Sequence, residues 1–231
     1  MLKAIIFDMD GVIVDTEFED FRIQQAFIMK ENPTLNQENT NFEELIGQSY
    51  DMLYKTLRTF IGSNDSLKEI KARFEEYNEV AYRAIDYQQL FRKEILSILN
   101  WSKENDIRLA VASSSTYEHI IEVLATCGIQ DSFDVIYSGE FVKESKPNPE
   151  IYLNTLKKLN VASNQAVAIE DSFYGISAAK AAGIPTIAYK ETRAAIDQSA
   201  ADYIAEDMTA VFEIVQSINC LLYTSEAADD G

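Results

Sequence analysis

The chain has 231 residues and carries 20 Lys and Arg against 38 Asp and Glu, a formal charge of −18 at pH 7. That balance excludes nucleic acid or an anionic membrane surface as the main partner, because neutralising phosphates takes clustered Lys and Arg. With 47% hydrophobic and 25% charged residues the chain is built to fold round a core, and no apolar run reaches the roughly 18 residues of a membrane-spanning helix.

Scarce residue types exclude more. Two cysteines, Cys127 and Cys220, make no disulfide framework, and with no charged-then-apolar leader the expected location is the reducing cytoplasm. The single histidine, His119, cannot build a multi-histidine zinc site. No glycine pair fits the phosphate cradles G-x-x-x-x-G-K-S/T or G-x-G-x-x-G. Any chemistry must run mainly on carboxylates.

In chain order, residues 2–7 read as a short apolar strand that stops at the acidic run Asp8-Met9-Asp10-Gly11. Residues 16–86 hold no strand pattern and read as several amphipathic helices. Thr16 with Glu19, and Ser66 with Glu69, have capping-box spacing, and Phe18, Phe21, Ile23, Ala26 and Phe27 fall near one helical face. From residue 107 a regular alternation sets in. Apolar runs at 107–112, 135–137, 166–169 and 185–189 are separated by helical patterns at 117–127, 150–159 and 174–182. Asn148 and Pro149 open the second of these helices, and Gly128 and Gly183 end the other two. Strand alternating with helix predicts a doubly wound, mostly parallel, Rossmann-like α/β sheet. The predicted domains are an α/β core of 1–15 with 87–219 and an inserted all-helical cap of 16–86, whose two crossing points would act as a hinge. A last helix is expected at 209–218, and residues 220–231 are set aside as a non-native or disordered tail.

Asp8 and Asp10 lie two residues apart on extended backbone, so their carboxylates share a side, about 7 Å apart at the Cα atoms. Gly11 permits the sharp turn that follows. Alone, this pattern is more often an acidic strand-end turn. Ser113-Ser114-Ser115 and Glu170-Asp171-Ser172, however, also directly follow strand-like runs. Each has an ordinary reading too: Ser115 with Glu118 is spaced as a capping box, and Glu170-Asp171 would open a helix. Ligands of open α/β sheets bind beyond the carboxyl ends of the strands, which brings all three clusters to one crevice. Asp8, Asp10, Glu170 and Asp171 gathered there would repel one another and raise their pKa values unless a cation were bound. Hard oxygen donors with room for water and phosphate suit Mg2+. Lys146, on a loop between Ser145 and two prolines and just before a helix start, is placed to face an anion. Four carboxylates with Lys146 sum to −3, and one Mg2+ brings the site to −1.

Asp8-Met9-Asp10-Gly11-Val12, the hydrophobic run ending in Ser113, Lys146 with Pro147, and Glu170-Asp171 resemble, in this order, the four motifs of the haloacid dehalogenase superfamily of phosphatases. The resemblance extends to about residue 218 and includes the helical insertion. It is closest to the subfamily containing β-phosphoglucomutase and small sugar-phosphate phosphatases. It implies that Asp8 is the nucleophile, forming an aspartyl-phosphate, and that Asp10 is the general acid and base. It further implies Mg2+ held by Asp8, Asp171, Glu170 indirectly and the Asp10 main-chain carbonyl. Ser113, the Ser114 N–H and Lys146 would hold the remaining phosphoryl oxygens.

The cap departs from the mutase pattern of a histidine in the first cap helix and an arginine after a Gly-x-Ser turn. Asp20 and Tyr50 stand in those places, the latter in Gly47-Gln48-Ser49-Tyr50, and they are the candidate substrate contacts. Without the arginine a bisphosphate is poorly held. The expectation is therefore a Mg2+-dependent phosphatase acting on a small phosphorylated metabolite, a sugar or polyol phosphate, as a monomer or weak homodimer. The alternative is a hexose phosphomutase. A non-enzymatic phospho-acceptor module of receiver type also gathers acids, Ser and Lys at strand ends, but it needs neither a lid nor a second aspartate.

Overall fold

Short runs of Ala, Ile, Val and Phe have the composition of strands buried on both faces, and they form one parallel sheet. The computed structural model describes residues 1–45, 50–193 and 195–229, without the side chains of 17, 43, 50, 51 and 223–229. The strands are β1 (Ala4–Phe7), β2 (Arg108–Ser113), β3 (Val135–Ser138), β4 (Ala166–Glu170), β5 (Thr186–Tyr189) and β6 (Tyr203–Ala205). Their order across the sheet is β3-β2-β1-β4-β5-β6, with every pair parallel. Phe7 lies beside Val111 of β2 on one side and Ile169 of β4 on the other, so β1 is central and the strand order reverses around it. That reversal marks the ligand crevice of doubly wound sheets.

The chain divides into two compact units, Met1–Asp15 with Tyr87–Gly231, and Thr16–Asp86. The α/β unit adds helices α4 (Tyr87–Leu90), α5 (Ile95–Glu104), α6 (Tyr117–Thr126), α7 (Glu150–Leu159), α8 (Phe173–Ala181) and α9 (Met208–Asp229), numbered after the three of the helical unit. Side chains alternate along each strand. One set is small, Ala4, Ala110, Ala112, Ala166 and Ala168 with Ile6, and packs with Ile151, Tyr152, Leu156 and Leu159 of α7 and Ala178 and Ala179 of α8. The other set is large, Ile5, Phe7, Leu109, Val111, Val167 and Ile169, and is equally buried. Trp101 of α5 meets Phe212 of α9 edge to face at 5.8 Å.

The helical unit contains α1 (Glu17–Glu31), α2 (Tyr50–Ile61) and α3 (Leu67–Tyr82). Its core is Phe27, Ile28, Leu57, Ile70 and Phe74, with the Phe27 and Phe74 rings 5.2 Å apart. Ser66 and Glu69 form the expected reciprocal capping box at the start of α3. Among the described residues, no helix is long and apolar enough to cross a membrane.

Four readings need correction. Thr16 makes no side-chain cap, because its backbone is already helical. Phe18, about half exposed, and Ala26, also exposed, are not part of the apolar face. Strand β6, three residues long with two of them exposed, carries too little pattern to be read and adds a sixth strand. Finally, α9 runs on past residue 218 to Asp229, so the last helix extends through most of the segment set aside as a tail.

Candidate active site

The carboxyl end of β1 is continued by Asp8, whose N–H donates to Ile169 O at 2.9 Å. The chain then folds tightly: the N–H groups of Val12, Ile13 and Val14 all point to Met9 O, and Gly11 N–H donates to Val14 O at 2.8 Å. Gly11 has φ +77°, and a Cβ there would lie 1.9 Å from Asp171 Oδ2. Only glycine satisfies both demands. The turn therefore rests directly on the Asp171 carboxylate. At the foot of β4, Glu170 has the same kind of neighbour: a Cβ on Gly175 in α8 would sit 1.9 Å from its Oε2.

Lys146 joins the two carboxylates. Its Nζ donates to Asp8 Oδ1 at 3.0 Å, Glu170 Oε1 at 2.7 Å and Ala112 O at 3.0 Å, which occupies all three ammonium protons. Its side chain is 6% exposed, so these pairs are barely screened by water. The ring of Tyr152 lies 5.4 Å from the ammonium, and its hydroxyl donates to Glu170 Oε1. Burial, and then repulsion from Glu170, push the Tyr152 hydroxyl well above its usual pKa, so it remains a donor. Burial opposes the charge on Lys146, but Asp8 and Glu170 outweigh it and keep the ammonium protonated above its usual range. For Asp8, burial and then Glu170 dominate, and its carboxyl is pushed up to about 8 despite Lys146. A lone ammonium therefore does not balance this site.

Asp8, Glu170 and Asp171 are all buried and offer oxygens within 4.8 Å of one another. Three carboxylates against one ammonium leave a formal −2. A set of hard oxygen donors with unbalanced negative charge fits a divalent cation. Asp10 is not a member of this trio. Its Oδ2 instead accepts the Ser115 hydroxyl at 3.0 Å. The alternative reading of Ser115 as a helix cap does not hold, since Thr116 caps α6. Likewise α8 is opened by Ser172, whose Oγ accepts from Gly175 N, and not by Glu170-Asp171.

Ser113 is fully buried at the end of β2, where its Oγ accepts the Ser115 N–H at 3.1 Å. Ser114 is exposed, and its main chain is approached by Gly139, whose Cβ would lie 2.8 Å from Ser114 O. Of the two cap candidates, Asp20 accepts a hydrogen bond from Tyr82 within the helical unit. The Tyr50 side chain, and Gly47-Gln48-Ser49 before it, lie outside the described residues.

The roles of four residues went unread in the sequence. Ser115 holds Asp10 and Tyr152 holds Glu170, as above. Arg92 donates to Gly11 O at 3.2 Å and to the Tyr189 hydroxyl at 3.0 Å, stacks 4.3 Å from the Tyr189 ring, and pairs with Asp15 at 3.0 Å. Gln198, buried in the loop beyond β5, donates to the main chain of Asp171 at 2.5 Å. The polar run 113–115 signalled Ser115, but nothing local distinguishes the other three.

Comparison with known proteins agrees with this arrangement. The family model for haloacid dehalogenase-like hydrolases matches residues 5–189. A phosphorylated carbohydrates phosphatase of Thermotoga maritima is 34% identical over 190 residues, which cover 80% of this chain and 84% of that protein. Hexitol phosphatase B of Escherichia coli is 29% identical over 192 residues, covering 80% and 82%. Among solved structures, β-phosphoglucomutase from Clostridium difficile aligns with a TM-score of 0.73 at 25% identity, covering 97% of this chain and all of that one. The match takes in the strand ends bearing Asp8, Ser113, Glu170 and Asp171 together with the helical unit between the first two, and the chain belongs to the haloacid dehalogenase-like hydrolase family.

Proposed function

We propose that the protein is a Mg2+-dependent phosphatase that hydrolyses a small phosphorylated carbohydrate, a sugar or polyol phosphate, through an aspartyl-phosphate on Asp8. The observation that carries this reading is the placement of two carboxylates with different surroundings two residues apart: Asp8 is buried against Lys146, and Asp10 is hydrogen-bonded by the Ser115 hydroxyl. Divergent environments suit divergent roles. Relatives named for phosphorylated carbohydrates and for hexitol supply the substrate class.

Asp8 attacks phosphorus as the ester P–O bond breaks, and Asp10 gives its proton to the departing oxygen. Asp10 then takes a proton from water as the water oxygen bonds to phosphorus and the bond to Asp8 breaks, which restores both side chains. Ser115 orients Asp10 for both transfers. Lys146, with Ser113 and the Ser114 N–H, offsets the charge on the phosphoryl oxygens. Asp8, Asp171, the Asp10 main-chain carbonyl and, indirectly, Glu170 would hold Mg2+, which would supply further positive charge to the phosphoryl group.

Release of inorganic phosphate from a panel of sugar and polyol phosphates with Mg2+ tests the reading. Asp8→Asn should lower the rate at least about a thousandfold, since it removes the group on which the covalent step depends. A variant of near wild-type rate would sink the mechanism. The likeness to β-phosphoglucomutase favours a second reading, a hexose phosphomutase. The product separates the two, isomerised sugar phosphate rather than free phosphate.

A further inference from the structure

Strands β4 and β5 pair from Ala168 with Thr186 to Glu170 with Ala188, and there their ladder stops. The next residue on each strand is Asp171 or Tyr189. Between them lies the side-chain amide of Gln198, which donates to Asp171 O at 2.5 Å and to Tyr189 O at 2.8 Å. Its Oε1 accepts the Glu191 N–H at 3.3 Å. Two carbonyls facing the nitrogen and one N–H facing the oxygen fix the orientation of the amide. Gln198 is 7% exposed, so water does not compete for these bonds. The amide thus acts as one more rung, made by a side chain, at the point where the strands part. On its other side the Asp171 carboxylate is pressed by the Gly11 backbone, where a Cβ would lie 1.9 Å from Oδ2.

We propose that Gln198 is a positioning residue for Asp171: by fixing the main chain from which that carboxylate springs, it sets the affinity of the Asp8, Glu170 and Asp171 trio for a divalent cation. The inference rests on the metal reading above. Removing the groups that orient metal ligands typically weakens metal affinity about 10–100-fold, with no change in the ligands themselves. Gln198→Met keeps the length and apolar bulk of the side chain but removes the amide that donates to both carbonyls. Gln198→Ala leaves space in which water can bridge them, so its effect should be smaller.

Titrating Mg2+ into substrate-free protein in a calorimeter, at a temperature well below melting, reads affinity independently of turnover. Gln198→Met should bind Mg2+ about tenfold more weakly and Gln198→Ala only a few-fold more weakly, each with a reduced melting temperature. A folded Gln198→Met with wild-type Mg2+ affinity, and only a lower melting temperature, overturns the inference and makes Gln198 a loop anchor. Failure of both variants to fold overturns it too, because the residue would then serve the fold as a whole. Wild-type protein that takes up no Mg2+ sinks both this inference and the reading beneath it, whereas wild-type binding with an unchanged Gln198→Met sinks this inference alone.

Discussion

Lys146 and Arg73 each bind two carboxylates, one at the carboxyl end of the α/β sheet and the other on the helical unit. Lys146 reaches Glu170 and Asp8 at 2.7 and 3.0 Å, and Arg73 reaches Asp65 and Glu31 at 2.8 and 3.1 Å. The distances are nearly the same, but the Lys146 side chain is 6% exposed and that of Arg73 is 40% exposed. Coulomb energy scales inversely with the local dielectric, so the first pair is strong and hard to replace while water and salt screen the second. The helical unit relies on Phe27, Leu57, Ile70 and Phe74 for its stability, with charge at the periphery. At the sheet end the charge is placed inside, where it destabilises unless every group is matched. Contact geometry alone therefore says little about what a charged pair does; burial decides it.

Four substitutions bear on this contrast. The largest expected effect is that of Lys146→Met, which removes the ammonium shared by the buried Asp8 and Glu170 and should cost about 3–5 kcal/mol in denaturant unfolding, with loss of phosphatase activity. Tyr152→Phe comes next. It deletes one hydrogen bond to a Glu170 carboxylate that keeps Lys146, and should cost about 1.5 kcal/mol in the same assay. A smaller, pH-dependent effect is expected at Asp202, which binds Lys180 at 2.6 Å and the Thr186 N–H at 2.7 Å. Burial pushes its carboxyl up, but these donors outweigh it and hold the pKa below the ordinary 3.8. A depressed folded pKa contributes stability above the unfolded value and loses it as pH falls through the folded one. The melting-temperature gap between wild type and Asp202→Asn should therefore be full at pH 7, begin to close near pH 4 and shrink further in high salt. Last, Arg73→Gln should leave the melting curve within experimental scatter. Should it destabilise as much as Lys146→Met, burial would not be what separates the two pairs.

Much of this arrangement was legible in the residues themselves. Asp8, Glu170 and Ser113 end apolar runs, so strand periodicity and charge together announce both the sheet and the end of it at which the carboxylates gather. Ser66 and Glu69 were readable because a capping box is local. What was not legible depends on partners distant in sequence. Gln198 sits 27 positions beyond Asp171, in a segment whose composition describes only a loop. Tyr152 occupies an ordinary buried position of an amphipathic helix, and only the third dimension shows its hydroxyl at Glu170. Arg92 reads as a surface base until Gly11 and Tyr189 are brought beside it. Ser115 shows the competition directly: a valid local rule offered it a cap, and a tertiary bond to Asp10 won.

Where the chain leaves the sheet unit and where it comes back, the two segments touch. Asp15 N–H donates to Leu90 O at 2.9 Å, Arg92 N–H to Ile13 O at 3.0 Å, and Val14 bridges Phe91 in antiparallel fashion. The host domain therefore closes across the excursion by itself, and the 71 residues between Asp15 and Tyr87 hang from a stem that is already zipped. Such a junction makes the insertion a replaceable module: a helical unit of another length can be spliced in without re-threading β1.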